Sequence, residues 1–355
     1  MFMENTAYSS MKVFYHTEKI EALKNHERTA PVYVRIKPTN ICNQKCYYCV
    51  YADDNVFDNR KVDRRESIPW DKMQEIIRDI TGMGVKAVTF SGGGEPLCYH
   101  SIIPALEMVK NSGMDYSMIT NGQELYGEKS DLLTDAKWVR ISMDAAKAET
   151  YKKIRHVDTY GIVLDNIKEF ARKKKDSCTL GINFVVTQDN YMDIYAFCQK
   201  MKDAGVNNIK FSPLMVKDTL GYHKDIKKEA EKQLGQAKYS LQSESFAVVD
   251  KYSGDMLLEQ GFEKQYCTCY MKELFTVIAA DQKVYFCHQK AYRPDGLVGD
   301  ISGRSFKELW FSDETTKLFK GMDAKKECNF RCAFEERNIL LGQLFNLDTG
   351  HVNFI

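Results

Sequence analysis

The segment Cys42-Asn-Gln-Lys-Cys46-Tyr-Tyr-Cys49 carries most of the information about fold and function, and it follows a short apolar run, Val32–Lys37. Its C-x₃-C-x₂-C spacing arises by chance in about one such sequence in a hundred. Three thiolates are one short of the four that complete an iron–sulfur cluster or a structural zinc site. One metal ion would keep an open position for a cofactor or substrate. Loops after strand ends are where alternating strand–helix sheets build active sites. We therefore predict a metal-dependent active site here, with zinc completed by a distant histidine as the alternative.

Short apolar runs alternate with amphipathic stretches from residue 32 to residue 213. The runs are rich in Val, Ile, Phe and Tyr, as is typical of buried parallel strands. They are Val32–Lys37, Ala87–Ser91, Tyr116–Thr120, Trp138–Met143, Thr179–Thr187 and Asn208–Ser212. The intervening helical patterns are Trp70–Ile80, Ile102–Lys110, Ile162–Lys173 and Tyr195–Lys202. Six strands alternating with helices predict an α/β fold with a parallel sheet, either an open partial barrel or a doubly wound sheet.

The pattern changes after Pro213. A charged helical region, about Asp225–Ser243, shows no strand signals. Leu274–Cys287 then predicts a hairpin with its turn at Asp281-Gln282, and short helices follow. We divide the chain into an N-terminal segment (1–31), a barrel (32–215), a helical connection (216–264), a small cysteine-rich α+β domain (265–335) and a C-terminal tail (336–355).

Composition excludes several classes of protein. Lysine plus arginine number 50 against 49 for aspartate plus glutamate, so net charge gives no drive toward nucleic acid or an anionic membrane. No apolar run approaches the roughly 18 residues of a membrane helix, and the N-terminus lacks a secretory pattern. We therefore expect a cytoplasmic protein without nucleic-acid or membrane partners. In a reducing compartment, clustered members of the 11 cysteines are metal ligands or redox groups more often than disulfides.

A second motif, Ser91-Gly92-Gly93-Gly94-Glu95-Pro96, follows the second predicted strand. Consecutive glycines let the backbone approach a ligand and adopt positive φ, which exposes amide donors to a carboxylate. The glutamate can accept a hydrogen bond from an ammonium group. A tight turn is the alternative reading of this motif on its own, but it lies on the same predicted rim as the cysteine loop.

Together the two motifs resemble those of the radical S-adenosylmethionine (SAM) superfamily, over about residues 32–213. The resemblance implies a partial (β/α)₆ TIM-like barrel. It also implies a [4Fe–4S] cluster held by Cys42, Cys46 and Cys49, whose fourth iron chelates SAM. In that family, one-electron reduction, with flavodoxin or ferredoxin as donor, cleaves SAM to a 5′-deoxyadenosyl radical that abstracts hydrogen from the substrate.

The resemblance also assigns cofactor contacts. Glu95 and the glycines before it would hold the methionine end of SAM, and Tyr48 is the aromatic residue that precedes the last cysteine in the motif. The full set of candidate cofactor-binding residues is Tyr48, Gly92, Gly93, Gly94, Glu95, Asn121, Ser142, Asn183 and Val185. For the last four a purely structural role stays open. Lys210 and Ser212, at the end of the sixth strand, could face the substrate or the adenosyl group.

Cysteines around the hairpin resemble the auxiliary-cluster extension called twitch, the shorter relative of SPASM. The resemblance implies that Cys269, Cys287, Cys328 and Cys332 hold a second [4Fe–4S] cluster, with Cys267 spare or replacing Cys269. His288 is an outside candidate for a ligand, and a structural zinc is the alternative. An auxiliary cluster could accept an electron from a substrate radical, which would favour net oxidation over epimerisation or elimination.

Three substrate classes compete. We favour a small carbohydrate, aminocyclitol or nucleotide-sugar, because only about thirty residues precede the first strand, too few for the leader-binding domain of many peptide-modifying relatives. A peptide or protein is the second class. The GTP-rearranging enzyme of molybdopterin synthesis ranks last, because it ends in a glycine pair whereas this chain ends His351-Val-Asn-Phe-Ile355. A zinc-dependent binding module without enzymatic activity is a remote alternative.

Overall fold

The structure, a computed structural model, describes residues 8–51, 60, 62–255, 263–330 and 332–353. The strands in this part of the chain are β1 (Tyr33–Ile36), β2 (Ala87–Phe90), β3 (Asp115–Thr120), β4 (Trp138–Ser142), β5 (Thr179–Val186), β6 (Asn208–Pro213), β7 (Ala247–Asp250), β8 (Phe275–Ile278), β9 (Lys283–Tyr285) and β10 (Leu297–Asp300). They form one sheet in the order β10-β9-β8-β1-β2-β3-β4-β5-β6-β7.

Helices separate the strands. They are α1 (Thr17–Lys24), α2 (Trp70–Gly82), α3 (Ile102–Asn111), α4 (Gly127–Leu133), α5 (Ala148–Arg155), α6 (Tyr160–Lys173), α7 (Ile194–Asp203), α8 (Thr219–His223), α9 (Lys227–Leu241), α10 (Tyr252–Asp255), α11 (Met271–Leu274), α12 (Phe306–Trp310), α13 (Asp313–Gly321), α14 (Ala324–Glu327) and α15 (Glu335–Phe345). Short 3₁₀ turns lie at Ser10–Tyr15, Pro96–Cys98, Tyr191–Asp193, Pro294–Gly296 and Thr349–His351. Within the described ranges, no helix is long and apolar enough to cross a membrane.

Strand order decides between the two predicted sheet types. From β1 to β7 each strand lies parallel and next to its neighbour in the chain. A doubly wound sheet instead reverses its order partway along the chain. The predicted partial barrel with a small C-terminal extension is therefore confirmed.

The sheet is larger than the six predicted strands. β7 lies in the segment expected to be a helical connection, where the short apolar run Ala247-Val-Val249 was not recognised as a strand. The predicted hairpin is present as β8 and β9, but β8 also pairs in parallel with β1, Tyr33 opposite Phe275. The C-terminal extension thus continues the barrel sheet at its β1 edge, which gives that edge a hydrogen-bonding partner.

Alternating side chains separate a helix-facing side of the sheet from a barrel-facing side. In β1, Val34 and Ile36 are fully buried in the core that also contains Met73, Ile76 and Ile80 of α2. The residue between them, Arg35, points to the opposite side, into the barrel. The core is therefore apolar between sheet and helices, and the barrel interior can carry polar groups.

Candidate active site and second cysteine site

A cavity of about 350 Å³ lies at the carboxyl ends of the strands, where the loops after β1 and β2 meet. All three cysteines of the first motif and all four residues of Gly92–Glu95 line it. Tyr48, Asn121, Ser142 and Val185 line it as well. The structure therefore places the predicted cysteines and cofactor-binding residues except Asn183 around one space, whereas Lys210 and Ser212 of β6 do not line it.

Asn183 lies in β5, opposite Ser142 of β4 and Lys210 of β6. It does not line the cavity. Its Oδ1 is buried and has no hydrogen-bond partner. Asn183 thus belongs to the barrel interior next to the cavity.

The three cysteines suit an iron–sulfur group by their donor type. Each is a free thiol. Burial raises the pKa of the Cys42 thiol to about 12, with the nearby Glu95 and cysteine charges adding to this effect, so binding of a metal would have to displace its proton. No three His, Cys, Asp or Glu side chains in the described residues are grouped to hold one metal ion. Ligands of a four-iron cluster bind separate irons, so they do not need to converge on one point.

The glycine run packs directly on the cysteine loop. Gly94 N donates to Thr39 O at 2.9 Å and Glu95 N to Ile41 O at 2.8 Å. A Cβ atom on Gly94 would lie 2.1 Å from Ile41 O, and one on Gly93 would lie 1.9 Å from Asn40 Oδ1. The expectation that these glycines adopt positive φ is wrong, because none of them has it. They are required for the close approach of two backbones.

Glu95 fixes the third loop of the site. Its buried carboxylate accepts hydrogen bonds from Thr120 Oγ1 at 2.6 Å, from Asn121 N at 2.7 Å and from Leu97 N at 3.0 Å. Burial raises the pKa of this carboxyl group, and the three donors oppose the rise. The glutamate therefore ties the end of β3 to the glycine run and presents an oriented acceptor to the cavity.

Two residues of the site were missed by sequence analysis. The buried carboxylate of Asp144 accepts hydrogen bonds from Tyr48 Oη, from Arg155 and, at 2.8 Å, from Val185 N. Arg155 also donates to Cys46 Sγ at 3.4 Å and lines the cavity. Asp144 directly follows the quoted fourth strand and could have been found there, whereas Arg155 ends α5 without any motif.

The second cysteine site lies beneath the hairpin. Cys269, Cys287, Cys328 and Cys332 line one small apolar pocket. Cys267 is exposed and does not line it. His288 does not line the pocket either. The centroid of its ring lies 6.3 Å from that of Phe275 and 5.8 Å from that of Phe334. The arrangement groups the four predicted cysteines and favours Cys269 over Cys267.

Comparison with known families agrees with both sites. Residues 36–198 match the model of the radical SAM superfamily, and residues 267–333 match that of SPASM, an iron–sulfur cluster-binding domain.

Two curated relatives each match half of the chain or less. A GTP 3′,8-cyclase of Alkaliphilus oremlandii is 30% identical over 143 residues, which is 39% of this chain and 43% of that protein. A probable GTP 3′,8-cyclase of Saccharolobus islandicus is 28% identical over 178 residues, or 50% of this chain and 54% of that protein. The chain thus spans about half the length of these relatives.

Solved structures share the fold over most of the chain. SuiB of Streptococcus suis bound to S-adenosylmethionine has a TM-score of 0.63 at 18% identity, covering 90% of this chain and 74% of SuiB. The protein anSMEcpe with bound AdoMet has a TM-score of 0.61 at 19% identity, covering 89% of this chain and 97% of that protein. At such identity the likeness concerns the fold alone.

Proposed function

Because this chain belongs to the radical SAM superfamily and carries an iron–sulfur cluster-binding domain, we propose that it oxidises a carbohydrate-like substrate that bears an anionic group. It is a radical SAM enzyme, and its cofactors are SAM and [4Fe–4S] clusters. The one-electron chemistry comes from these groups when they are bound. The residues of the chain bind and orient the cofactors and the substrate, and they exclude water from the site.

We assign the cofactor contacts from the lining of the cavity. Cys42, Cys46 and Cys49 would ligate the first cluster, and Gly92–Glu95 would hold the amino-acid end of SAM. Arg155, held by its ion pair with Asp144, donates to Cys46 Sγ and would stabilise that sulfur as a thiolate ligand. Cys269, Cys287, Cys328 and Cys332 would hold the auxiliary cluster.

The polar interior of the barrel carries the substrate assignment. Arg35, Thr89 and Ser117 are register partners on adjacent strands and face the same side of the sheet. Tyr33 Oη accepts from Arg35 and donates to Thr89 Oγ1 at 2.8 Å. Arg35 Nε and Asn183 Oδ1 are buried without a protein partner. Buried polar atoms are rarely left unpaired, so a ligand with many hydroxyl groups suits this interior.

Cations in the same interior suggest an anionic substrate. Burial lowers the pKa of His288 well below its usual value, and the charges of Arg35 and Lys210 contribute, as do those of Lys37 and Arg60. These four cations therefore lie around His288, and one of them, Lys37, donates at 2.8 Å to the carbonyl of Gly92 in the cavity wall. A sugar phosphate or nucleotide-sugar combines the hydroxyl groups and the negative charge that such a region favours.

A second candidate is the rearrangement of GTP. The curated relatives named GTP 3′,8-cyclase favour it. GTP would also satisfy cations and hydroxyl-binding groups. The two candidates therefore have to be separated by experiment.

The first experiment counts iron after anaerobic reconstitution. We expect about eight iron in the wild type, for two [4Fe–4S] clusters, and about four in Cys42→Ala/Cys46→Ala/Cys49→Ala. Cys198→Ala, a buried cysteine of α7, serves as the control and should keep the wild-type value. Zinc without iron in the wild type would contradict the proposal.

The second experiment identifies the substrate class. Formation of 5′-deoxyadenosine with dithionite, or with flavodoxin or ferredoxin as the proposed natural donor, is measured with nucleotide-sugars, sugar phosphates, neutral sugars, GTP and peptides. We expect stimulation by an anionic sugar and a weaker effect in Arg35→Gln. Stimulation by GTP alone would support the second candidate, and stimulation by neutral sugars or peptides would overturn the anionic assignment.

A further inference from the structure

Three lysines are buried around the second cysteine site. Lys264 is 2% exposed, Lys272 6% and Lys290 0%, and all three line the same pocket as the four cysteines. Lysine is almost never buried to this extent unless its charge is compensated. The rest of the lining is mostly apolar, so the positive charges act in a medium that screens them weakly.

Carboxylates compensate two of these lysines. Lys264 forms an ion pair with Glu335. Lys290 Nζ lies 3.4 Å from Asp295 Oδ2 and 3.5 Å from Glu327 Oε2.

Lys272 differs from the other two. Its Nζ donates to the backbone oxygen of Cys269 at 3.2 Å, and it forms no carboxylate ion pair within the described residues. Asn338 Nδ2 approaches Cys269 Sγ at 3.6 Å from the other side. A buried cation and an amide donor thus flank a cysteine whose thiolate would carry the opposite charge.

An iron–sulfur group with four thiolate ligands is an anion, and reduction makes it more negative. Net charge, hydrogen bonds to sulfur and solvent exposure set its potential. We propose that Lys272, the one of the three lysines without a carboxylate partner within the described residues, raises the reduction potential of the iron–sulfur group bound at Cys269, Cys287, Cys328 and Cys332. This inference rests on the proposed ligation by these cysteines. A raised potential suits a group that takes up one electron, in agreement with the proposed oxidation.

The test uses protein that carries only the second group. In the Cys42→Ala/Cys46→Ala/Cys49→Ala background, Lys272→Met removes the positive charge of the lysine and keeps most of its aliphatic side chain. We expect the equilibrium constant for one-electron reduction to fall at least tenfold, a potential about 59 mV lower, in a redox titration followed by electron paramagnetic resonance. Lys272→Arg should restore the potential. Lys326→Met, at a lysine whose side chain is 83% exposed in the same domain, should not change it.

The possible failures are distinguishable. A background protein without iron would overturn the ligation and this inference with it. If Lys272→Met keeps its full iron and has the same potential as Lys326→Met, the proposed role of Lys272 is overturned and the ligation stays intact. If Lys272→Met loses iron, Lys272→Gln, which also removes the charge but keeps a polar end group, is titrated instead, and an unchanged potential there overturns the proposal.

Discussion

The two cysteine sites of this protein are built in opposite ways. Cys42, Cys46 and Cys49 come from one loop and face a cavity of about 350 Å³ whose walls include glycine backbone. The second set comes from three separate segments and surrounds a small apolar pocket with buried lysines. With the proposed ligation, three cysteines on an open cavity leave one iron able to bind another molecule, whereas four cysteines around a small pocket leave none. The first site therefore suits chemistry and the second suits electron storage.

The largest effect we expect separates the two sites by activity. Cys46→Ala removes one of the three ligands proposed for the first cluster and also the sulfur atom that accepts from Arg155. Because the cofactor supplies the radical chemistry, formation of 5′-deoxyadenosine should fall to background. The iron of the second site, about four per chain, should stay. Loss of iron from both sites would show that the sites are not independent.

The next prediction concerns stability. Cys328 is buried at the C-terminal end of α14 and lines the second site. Because a bound iron–sulfur group would link α14 to the other cysteines of that site, its binding should contribute directly to folding of the C-terminal region. We expect Cys328→Ala to destabilise the reconstituted protein by about 3 kcal/mol, which at ~2–4 °C per kcal/mol lowers its apparent melting temperature by roughly 6–12 °C. Cys42→Ala, measured by the same calorimetry, should lower it by less than half as much. Equal shifts in melting temperature for the two variants would contradict the idea that the second site contributes more to folding than the first.

Sequence patterns predicted the local parts of this fold. The spacing of Met73, Ile76 and Ile80 predicted α2, and apolar runs predicted β1 to β6, because side-chain periodicity is a local property. The pairing of β8 with β1 was not predicted, because two strands so far apart in the chain leave no common pattern. β7 is no shorter than β1 and β2, so its apolar run Ala247-Val-Val249 could have been found by the same pattern and was overlooked.

The residues of the candidate site likewise fall into those that the sequence revealed and those that only the structure showed. Its cysteines and glycines stand in motifs, so they could be found without a structure. The pairing of Arg155 with Asp144 depends on how α5 packs beside β4, which no spacing encodes. Nor could the sequence distinguish glycines needed for positive φ from glycines needed for close packing, and here the second explanation holds.

A smaller effect tests how closely the first site depends on its glycine wall. In Gly94→Ala the new methyl group would meet Ile41 O at 2.1 Å, so the cysteine loop and the glycine run have to separate. We expect SAM to bind at least about tenfold more weakly, or about 1.4 kcal/mol, by equilibrium dialysis, with the iron of both sites retained. Gly161→Ala is the matched control, because a Cβ there meets nothing within 4 Å. An unchanged affinity in Gly94→Ala would show that SAM binding does not depend on the close approach of the two loops.

The smallest expected effect refines the description of the second site. Cys267 and Cys269 are separated by one residue, but only Cys269 lines the pocket and receives Asn338 Nδ2 at its sulfur. Cys267 is exposed, and its backbone oxygen accepts a hydrogen bond from Ala324 N at 2.6 Å. Cys267→Ala keeps that backbone contact, so in the Cys42→Ala/Cys46→Ala/Cys49→Ala background it should leave iron content unchanged, whereas Cys269→Ala should lose it. If Cys267→Ala loses the iron and Cys269→Ala keeps it, the ligand is Cys267, and the lysine nearest the thiolate is then no longer Lys272.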